Sequence, residues 1–411
     1  MKYCITFLLV LIIVGPFLVS TLPFYDLGLV STMVLAIEAL LLLFCVIYAI
    51  IHPKEIKLPN KATSIVVIYF IYYAVVFYQI FVTPVFPRDD LGAVPETNLS
   101  LFRTFFVQTG EMLILLAFYR KIDYKLFAKI TVFLTAVLIF AYYNKVNFLI
   151  YGFEDVEYIQ MYEDEERIAS FSMAGFMAIA FFCNFAIRKE YSSSKTISTI
   201  LFVAFAILFA AGLFITIKRG PIVSFLFVIA IWFFKSRRKA TVFVIAIMAL
   251  IFLLLQNTIE NSFVDTSGLS TRFESIVDDG GSGRFGSKES VYAMAWKQIK
   301  EAPLFGSYFR LLYGASKGNY PHNLVFELIM TFGIFLTGWF LTILWKVLKK
   351  AYHYLEMEDE RSQISLCFFY VVTSLMFSHS LFLKGNFWIL YTLAFALTSV
   401  KTPLKTKTIS T

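Results

Sequence analysis

The sequence contains few charged residues for its length. Only 16% of its 411 residues are Asp, Glu, Lys or Arg, whereas 59% are hydrophobic. A soluble protein of this size must cover its surface largely with polar groups, so this composition excludes a soluble globular protein. The chain is therefore expected to reside in a lipid bilayer.

Cysteine is also scarce, and the usual metal-binding and nucleotide-binding motifs are missing from the sequence. Each of the four cysteines, at positions 4, 45, 183 and 367, falls within an apolar run, so neither a disulfide framework nor a cysteine metal site is expected. The sequence contains no Asp-x-Asp, His-x-x-x-His or His-Glu-x-x-His, and no glycine-rich loop for nucleotide phosphates. We therefore predict no metal and no cofactor, with the chemistry supplied by side chains.

Long apolar runs predict an all-α membrane protein of about twelve transmembrane helices. A helix needs roughly 20 apolar residues to cross the hydrocarbon core. The candidate runs are 3–21, 27–50, 62–82, 101–119, 126–143, 168–187, 196–217, 221–234, 240–255, 323–344, 362–382 and 385–400. The first follows Lys2 without a small-x-small cleavage site after it, so we interpret it as a retained helix. Because the eighth and twelfth runs are short, ten or eleven helices remain an alternative.

The distribution of Lys and Arg predicts the orientation of these helices. Short cytoplasmic loops collect basic residues. Here basic clusters follow every second run, at 54–61, 120–125, 188–195, 235–239, 346–350 and 401–407. This pattern predicts that both termini lie in the cytoplasm. It also explains the net charge of +8 as topology signals beside anionic lipid, so no nucleic-acid partner is expected.

One long polar segment, 256–321, interrupts the series of apolar runs on the predicted outer face, and we refer to it as the outer loop. Long structured loops tend to carry function. The predicted organisation is helices one to nine in 1–255, the outer loop over an active cavity in 256–321, and helices ten to twelve with a cytoplasmic tail in 322–411. Within the outer loop, 289–300 has the spacing of an amphipathic helix that includes Trp296, and Pro303 and Gly306 end it.

A first group of candidate anion-binding residues lies between the seventh and eighth runs, in Lys218-Arg219-Gly220-Pro221. Proline at the first helical position would begin the eighth helix, and the positive end of that helix would point at an anion held by Lys218 and Arg219. This arrangement suits phosphate or diphosphate. The alternative is a pair of basic residues that only anchors the helix at the membrane surface.

Two further groups lie in and after the outer loop. Arg272 and Arg284 each present a rigid guanidinium that fits phosphate oxygens, although a solvated loop arginine is the alternative. His322 precedes Asn323 at the start of the tenth run. Its imidazole is suited to accept a proton from a hydroxyl near neutral pH. The alternative for His322 is a helix-capping or interfacial histidine.

The order of these elements resembles the O-antigen ligase and O-antigen polymerase superfamily of bacterial envelope glycosyltransferases. The resemblance covers about 215–338. It rests on Arg219-Gly220, Gly283-Arg284, Trp296, the stretch Ile299-x-Glu301-x-Pro303-Leu304-Phe305-Gly306, His322-Asn323 and the following Gly333. The chain departs from the family at Lys218, where Ser is frequent, and at Tyr308, where a second Gly often stands. The first departure suggests altered diphosphate contacts, and the second an altered loop turn.

The resemblance implies a bacterial inner-membrane enzyme whose large periplasmic loop folds over a periplasmic cavity. It implies metal-independent transfer of a glycan from undecaprenyl diphosphate to a hydroxyl of a glycan or lipid A core acceptor. In this reading Arg219 and Arg284 bind the diphosphate, and His322 serves the acceptor. Lys218, Arg272, Trp296 and Asn323 are the further expected substrate-binding residues. A base opposite the leaving group predicts inversion at the anomeric carbon.

Other functions remain open at this point. Within the superfamily, a surface-polysaccharide polymerase and a protein O-oligosaccharyltransferase share the same scaffold, although the motifs lie closest to the ligase pattern. From another class, a polysaccharide transporter or flippase is suggested by the acidic residues Glu38, Glu111 and Glu327 within the apolar runs.

Overall fold

The computed structural model describes residues 1–21, 27–59, 61–81, 98–151, 173–215, 219–236, 291–314, 317–356, 360–377, 381 and 385–399. All regular structure within these residues is helical, which confirms the predicted all-α class, whereas the number of about twelve transmembrane helices stays a prediction. The helices are α1 (Lys2–Thr21), α2 (Leu27–Ile51), α3 (Ala62–Phe81), α4 (Asn98–Phe118), α5 (Tyr124–Tyr151), α6 (Met173–Ala186), α7 (Lys195–Ile215), α8 (Arg219–Ser236), α9 (Val291–Glu301), α10 (Leu324–Tyr354), α11 (Glu360–Phe377) and α12 (Gly385–Ser399).

Five of these helices, α2, α3, α5, α7 and α10, contain stretches that are long and apolar enough to cross a bilayer. Five more, α1, α6, α8, α11 and α12, contain shorter apolar stretches. The chain is therefore a multi-pass helical membrane protein. Helix α9 is the amphipathic helix of the outer loop. The predicted ninth span, 240–255, and the boundary between 255 and 256 lie outside the described residues.

Several helices extend beyond the apolar runs that predict them. Helix α10 continues to Tyr354, ten residues past its predicted end, because the basic residues after the apolar run are good helix formers. Helix α8 begins at Arg219, so Pro221 occupies the third helical position and not the predicted first. Proline is tolerated there because the first-turn N–H groups have no partner within the helix.

Ion pairs join the predicted cytoplasmic connections at one end of the bundle, which we call the basic end. The pairs are Lys2–Asp123 (2.8 Å), Lys125–Glu190 (2.8 Å) and Lys235–Glu356 (3.1 Å), together with Lys121–Glu55. They link the start of α1 with the α2–α3, α4–α5 and α6–α7 connections, and the end of α8 with the end of α10. The hydrogen bond from the Lys2 ammonium holds the pKa of the Asp123 carboxyl below its usual value. The described connections that carry basic clusters in the sequence therefore lie on one side of the fold.

The core lies around α11 and α12, whose side chains are buried on nearly all faces. Helix α12 packs against α4, α10 and α11, and α11 also packs against α8. The Trp388 ring of α12 lies 5.1 Å from the Tyr69 ring and 5.4 Å from the Tyr72 ring of α3, measured between ring centroids. In contrast, α2 leaves much of its apolar surface exposed, as expected for a lipid-facing helix.

Helix α10 is broken at Gly333, which has a φ of +70° and a ψ of −177°. Residues 303–307 of the outer loop, which we call the docking segment, lie against this break. The Ser307 N–H donates to the Met330 carbonyl (2.7 Å), and the Ile334 N–H donates to the Pro303 carbonyl (2.9 Å). These bonds satisfy backbone groups that the break removes from the helical ladder, which is essential where water is scarce.

The docking segment contacts α10 well inside this helix and not at its first turn. Gly333 comes nine positions after Leu324, which corresponds to about 14 Å along a helix axis. A Cβ on Gly333 would lie 2.1 Å from the Leu304 carbonyl oxygen, and one on Gly306 would lie 2.6 Å from the Met330 carbonyl oxygen. Both glycines also adopt positive φ angles. The two backbones therefore meet at a distance that only glycine permits.

We predict that Gly333→Ala destabilises the protein, whereas Gly338→Ala in the same helix does not. The φ/ψ of Gly333 costs an alanine about 1–3 kcal/mol, and the docking segment must also move. The matched control is Gly338→Ala, because nothing lies within 4 Å of a Cβ added there. In detergent, we expect a lower thermal unfolding midpoint for Gly333→Ala and no loss for Gly338→Ala. Equal midpoints for the two variants would contradict the docking.

Candidate functional site

His322 lies at the start of α10, at the end of this helix that faces away from the basic end; we call this the site end. The residue is half-buried and adopts a left-handed backbone conformation with a φ of +51°. Positive φ is uncommon for residues other than glycine, and such conformations cluster at functional sites. Among the described residues other than glycine, His322 shares a positive φ with Lys61, which lies directly before α3.

Asn323, and not His322, caps α10. Its side-chain oxygen accepts hydrogen bonds from the N–H groups of Val325 (3.0 Å) and Phe326 (3.2 Å). Its side-chain nitrogen donates to the Met376 carbonyl at the end of α11 (3.4 Å). Asparagine is a preferred residue at this helical position. The structure thus gives Asn323 a structural role in joining α10 to α11, which the sequence analysis did not assign.

Glu327 lies one turn after Asn323 and is fully buried. Its carboxylate accepts a hydrogen bond from the Leu381 N–H (3.1 Å), in the connection between α11 and α12. Asn323 and Glu327, on one face of α10, therefore hold the segment that follows α11 against the site end. His379 belongs to that connection, but residues 378–380 lie outside the described part of the chain.

The other two acidic residues within the apolar helices contact each other. Glu38 of α2 and Glu111 of α4 are both buried and share a side-chain hydrogen bond. All three acids considered for ion coupling thus contact other groups of the protein.

Helix α9 fixes the segment that leads to His322. Gln298 is buried, and its side-chain nitrogen donates to the carbonyls of Tyr308 (3.0 Å) and Arg310 (3.1 Å). Its side-chain oxygen accepts from the Leu312 N–H (3.0 Å). A single glutamine therefore satisfies three backbone groups of an irregular segment, as buried backbone requires.

Trp296 lies on the other face of α9 and remains 49% exposed. Its ring centroid lies 6.5 Å from that of Phe326 in the first turn of α10, and the Lys300 ammonium lies 5.8 Å from the Trp296 ring. Packing of α9 on α10 thus places Trp296 beside the first turn of α10, close in the chain to His322 and Asn323, with part of the indole surface open to a ligand.

Arg310 is a buried cation that the sequence analysis missed. Only 8% of it is exposed, and its guanidinium lies 5.3 Å from the Phe309 ring and 5.0 Å from the Tyr320 ring. One guanidinium nitrogen donates a hydrogen bond to the Tyr320 hydroxyl (3.0 Å). Phe309 and Tyr320 are the residues in the sequence that could have indicated this packing of Arg310, because arginine packs favourably on aromatic faces.

The remaining predicted site residues fall outside what the structure describes. Lys218, Arg272 and Arg284 belong to the undescribed segments, and Arg219 is described only as the first residue of α8, without its side chain. The structure therefore brings Trp296, His322 and Asn323 to the site end. The proximity of the three arginines and Lys218 to this end stays a prediction.

We predict that Asn323→Asp keeps the cap of α10 and Asn323→Ala removes it. Aspartate retains the oxygen that accepts from Val325 and Phe326, whereas loss of a cap costs about 1 kcal/mol. In amide hydrogen exchange, we expect protection of these two N–H groups in the aspartate variant and its loss in the alanine variant. Asn319→Ala, at an exposed asparagine, is the control. Equal loss of protection in both Asn323 variants would exclude the capping role.

Comparison with known families identifies the part of the chain that carries this site. The O-antigen ligase family model matches residues 203–341. No curated protein and no solved structure matches the chain. The matched range runs from within α7 to within α10 and includes Arg219, Arg284, Trp296, His322 and Gly333. The resemblance of the sequence motifs is therefore confirmed: residues 203–341 of this multi-pass membrane protein match the O-antigen ligase family.

Proposed function

We propose that the protein transfers a glycan from undecaprenyl diphosphate to an acceptor hydroxyl, as an O-antigen ligase acts in surface polysaccharide synthesis. The observation that carries this proposal is His322, held in a left-handed conformation at the site end within the region that matches the O-antigen ligase family. The reaction is metal-independent, since side-chain cations are assigned to the leaving group.

The proposed chemistry divides between a base and two cations. The His322 imidazole accepts the proton of the acceptor hydroxyl as the hydroxyl oxygen bonds to the anomeric carbon of the donor sugar. The bond from that carbon to the diphosphate oxygen breaks, and undecaprenyl diphosphate leaves with the electron pair. Arg219 and Arg284 stabilise the negative charge that develops on the leaving group. Attack opposite the leaving group inverts the anomeric configuration.

The remaining expected site residues contribute to substrate binding in this proposal. Lys218 and Arg272 add positive charge for the diphosphate, and the exposed face of Trp296 contacts a sugar ring of the donor or acceptor. The Asn323 side chain already forms hydrogen bonds with α10 and α11. We therefore propose that its main role is to hold His322 in place, and that it contacts a sugar in addition.

We further propose that the site end faces the periplasm and that the protein resides in the bacterial inner membrane. The basic residues that join connections at the basic end support this orientation, because cytoplasmic loops collect Lys and Arg. The site end then meets a lipid-linked donor and a lipid A core acceptor at the outer leaflet.

Two alternatives are less well supported. A polymerase of the same superfamily would use the same donor and fits the family match equally, but the series Arg219-Gly220, Gly283-Arg284 and His322-Asn323 is closest to the ligase pattern. A transporter or flippase would need acidic residues available for ion coupling, whereas Glu327 bonds to the Leu381 backbone and Glu38 bonds to Glu111. The contacts of these acids therefore favour structural roles.

We predict that His322→Ala and Arg284→Ala each lower the rate of glycan transfer by roughly 100-fold or more, since a general base and an aimed cation each contribute on this scale. His353→Ala is the matched control, because His353 is an exposed histidine near the opposite end of α10. The assay follows transfer of labelled glycan in membranes that contain the donor and a lipid A core acceptor.

The same assay distinguishes the alternatives. Elongated lipid-linked glycan formed from the donor alone would indicate a polymerase. Movement of donor across proteoliposomes that lack an acceptor would indicate a flippase. Full transfer activity in both His322→Ala and Arg284→Ala would end the proposed mechanism.

A further inference from the structure

Residues 308–314 and 317–320, between α9 and α10, fold against each other near Arg310. The Leu311 N–H donates to the Asn319 carbonyl (2.9 Å), and the Gly318 N–H donates to the Leu311 carbonyl (2.8 Å). The Gln298 side chain of α9 donates a hydrogen bond to the Arg310 carbonyl. The backbone of Arg310 is thus fixed independently of its side chain.

The Arg310 side chain fixes Tyr320, which belongs to the second of these two stretches. Its guanidinium lies over the Tyr320 ring at 5.0 Å and donates a hydrogen bond to the hydroxyl of the same residue at 3.0 Å. The Phe309 ring, 5.3 Å from the guanidinium, provides a second aromatic contact. These contacts constrain the position of the Tyr320 ring.

Tyr320 is two residues before His322, and the residue between them is a buried proline. Proline fixes its own φ near −65°, so few soft torsions separate Tyr320 from His322. On the other side, His322 is followed directly by Asn323, whose bonds to α10 and α11 fix the next residue. His322 therefore lies between two anchored neighbours.

This double anchoring accounts for the unusual backbone of His322. A left-handed conformation of a non-glycine residue persists only when the surrounding structure determines it strongly. If the Tyr320 side of the anchor is loosened, the backbone of His322 can relax toward ordinary φ values, and the imidazole then moves.

We propose that Arg310 is a positioning residue for His322, acting through Tyr320 and Pro321 without contacting the donor or the acceptor. This inference rests on the proposed role of His322 in the transfer reaction. It requires arginine specifically, because the guanidinium contacts two aromatic rings and also donates a hydrogen bond from a rigid planar group, which a lysine ammonium does not reproduce.

The first test compares Arg310→Lys and Tyr320→Phe with wild type. Displacement of a catalytic group by about 1 Å can cost up to 100-fold in rate, so we expect a roughly 10- to 100-fold lower kcat for Arg310→Lys and a smaller decrease for Tyr320→Phe. The KM for the lipid-linked donor should remain unchanged. The matched control is Arg120→Lys, because Arg120 makes the same type of contact to Tyr119 (2.9 Å to the hydroxyl, 5.5 Å to the ring) in the connection after α4.

The second test asks whether Arg310 acts through His322. In a His322→Ala background, Arg310→Lys should leave the residual transfer rate unchanged, since the group that it positions is gone. A further loss in that background, or a higher KM for the donor, would show a direct contact between Arg310 and substrate and would overturn the proposal. An unchanged kcat in folded Arg310→Lys would overturn it equally.

A spectroscopic measurement separates this inference from the proposed function. In a variant whose other histidines, His52, His353 and His379, are replaced, the ¹⁵N-labelled imidazole signal of His322 should shift in Arg310→Lys and not in Arg120→Lys. If His322→Ala retains full transfer activity, the proposed function fails, whereas the imidazole signal still decides whether Arg310 positions His322. An unshifted signal in Arg310→Lys contradicts the inference whatever the activity shows.

Discussion

The site end depends on the contact between the backbone of the docking segment and the break in α10. Two hydrogen bonds, from Ser307 to Met330 and from Ile334 to Pro303, join the outer loop to a membrane helix at Gly333. Gln79 of α3 adds a hydrogen bond from its side-chain nitrogen to the Thr331 carbonyl (2.9 Å), just before the break. Because polar backbone groups are costly to expose in lipid, these contacts hold the loop in one place. The loop then carries α9, Arg310 and Tyr320 to fixed positions around His322.

The same contact explains why the short motifs of the sequence are spaced as they are. Pro303 and Gly306 follow the end of α9 and belong to the docking segment. This segment contacts α10 at Gly333, nine positions after the first residue of that helix. His322 lies on the chain between these two glycines, where the outer loop passes into α10. A catalytic group at such a junction is supported by a helix on one side and by a packed loop on the other. Preorganised groups of this kind need little rearrangement during reaction.

Much of the helical framework could be predicted from apolar runs and basic clusters, because those patterns respond directly to the bilayer. The amphipathic helix was predicted at 289–300 and lies at Val291–Glu301. The break at Gly333 could not be predicted, since it depends on bonds to residues about 30 positions earlier. The cap at Asn323 has a recognisable signal, asparagine directly before an apolar run, but the sequence analysis assigned this residue to substrate. Arg310 was missed because its burial follows from loop packing, which one sequence does not display.

The proposed transfer reaction requires the donor diphosphate to bind at the site end, between the predicted arginines and His322. A cryo-electron microscopy structure of the protein in lipid nanodiscs with bound undecaprenyl diphosphate tests it most directly. We expect the diphosphate within hydrogen-bonding distance of the Arg219 and Arg284 guanidinium groups, in a cleft that the His322 imidazole also faces. A diphosphate bound near the basic end, or arginines far from the cleft that contains His322, would contradict it.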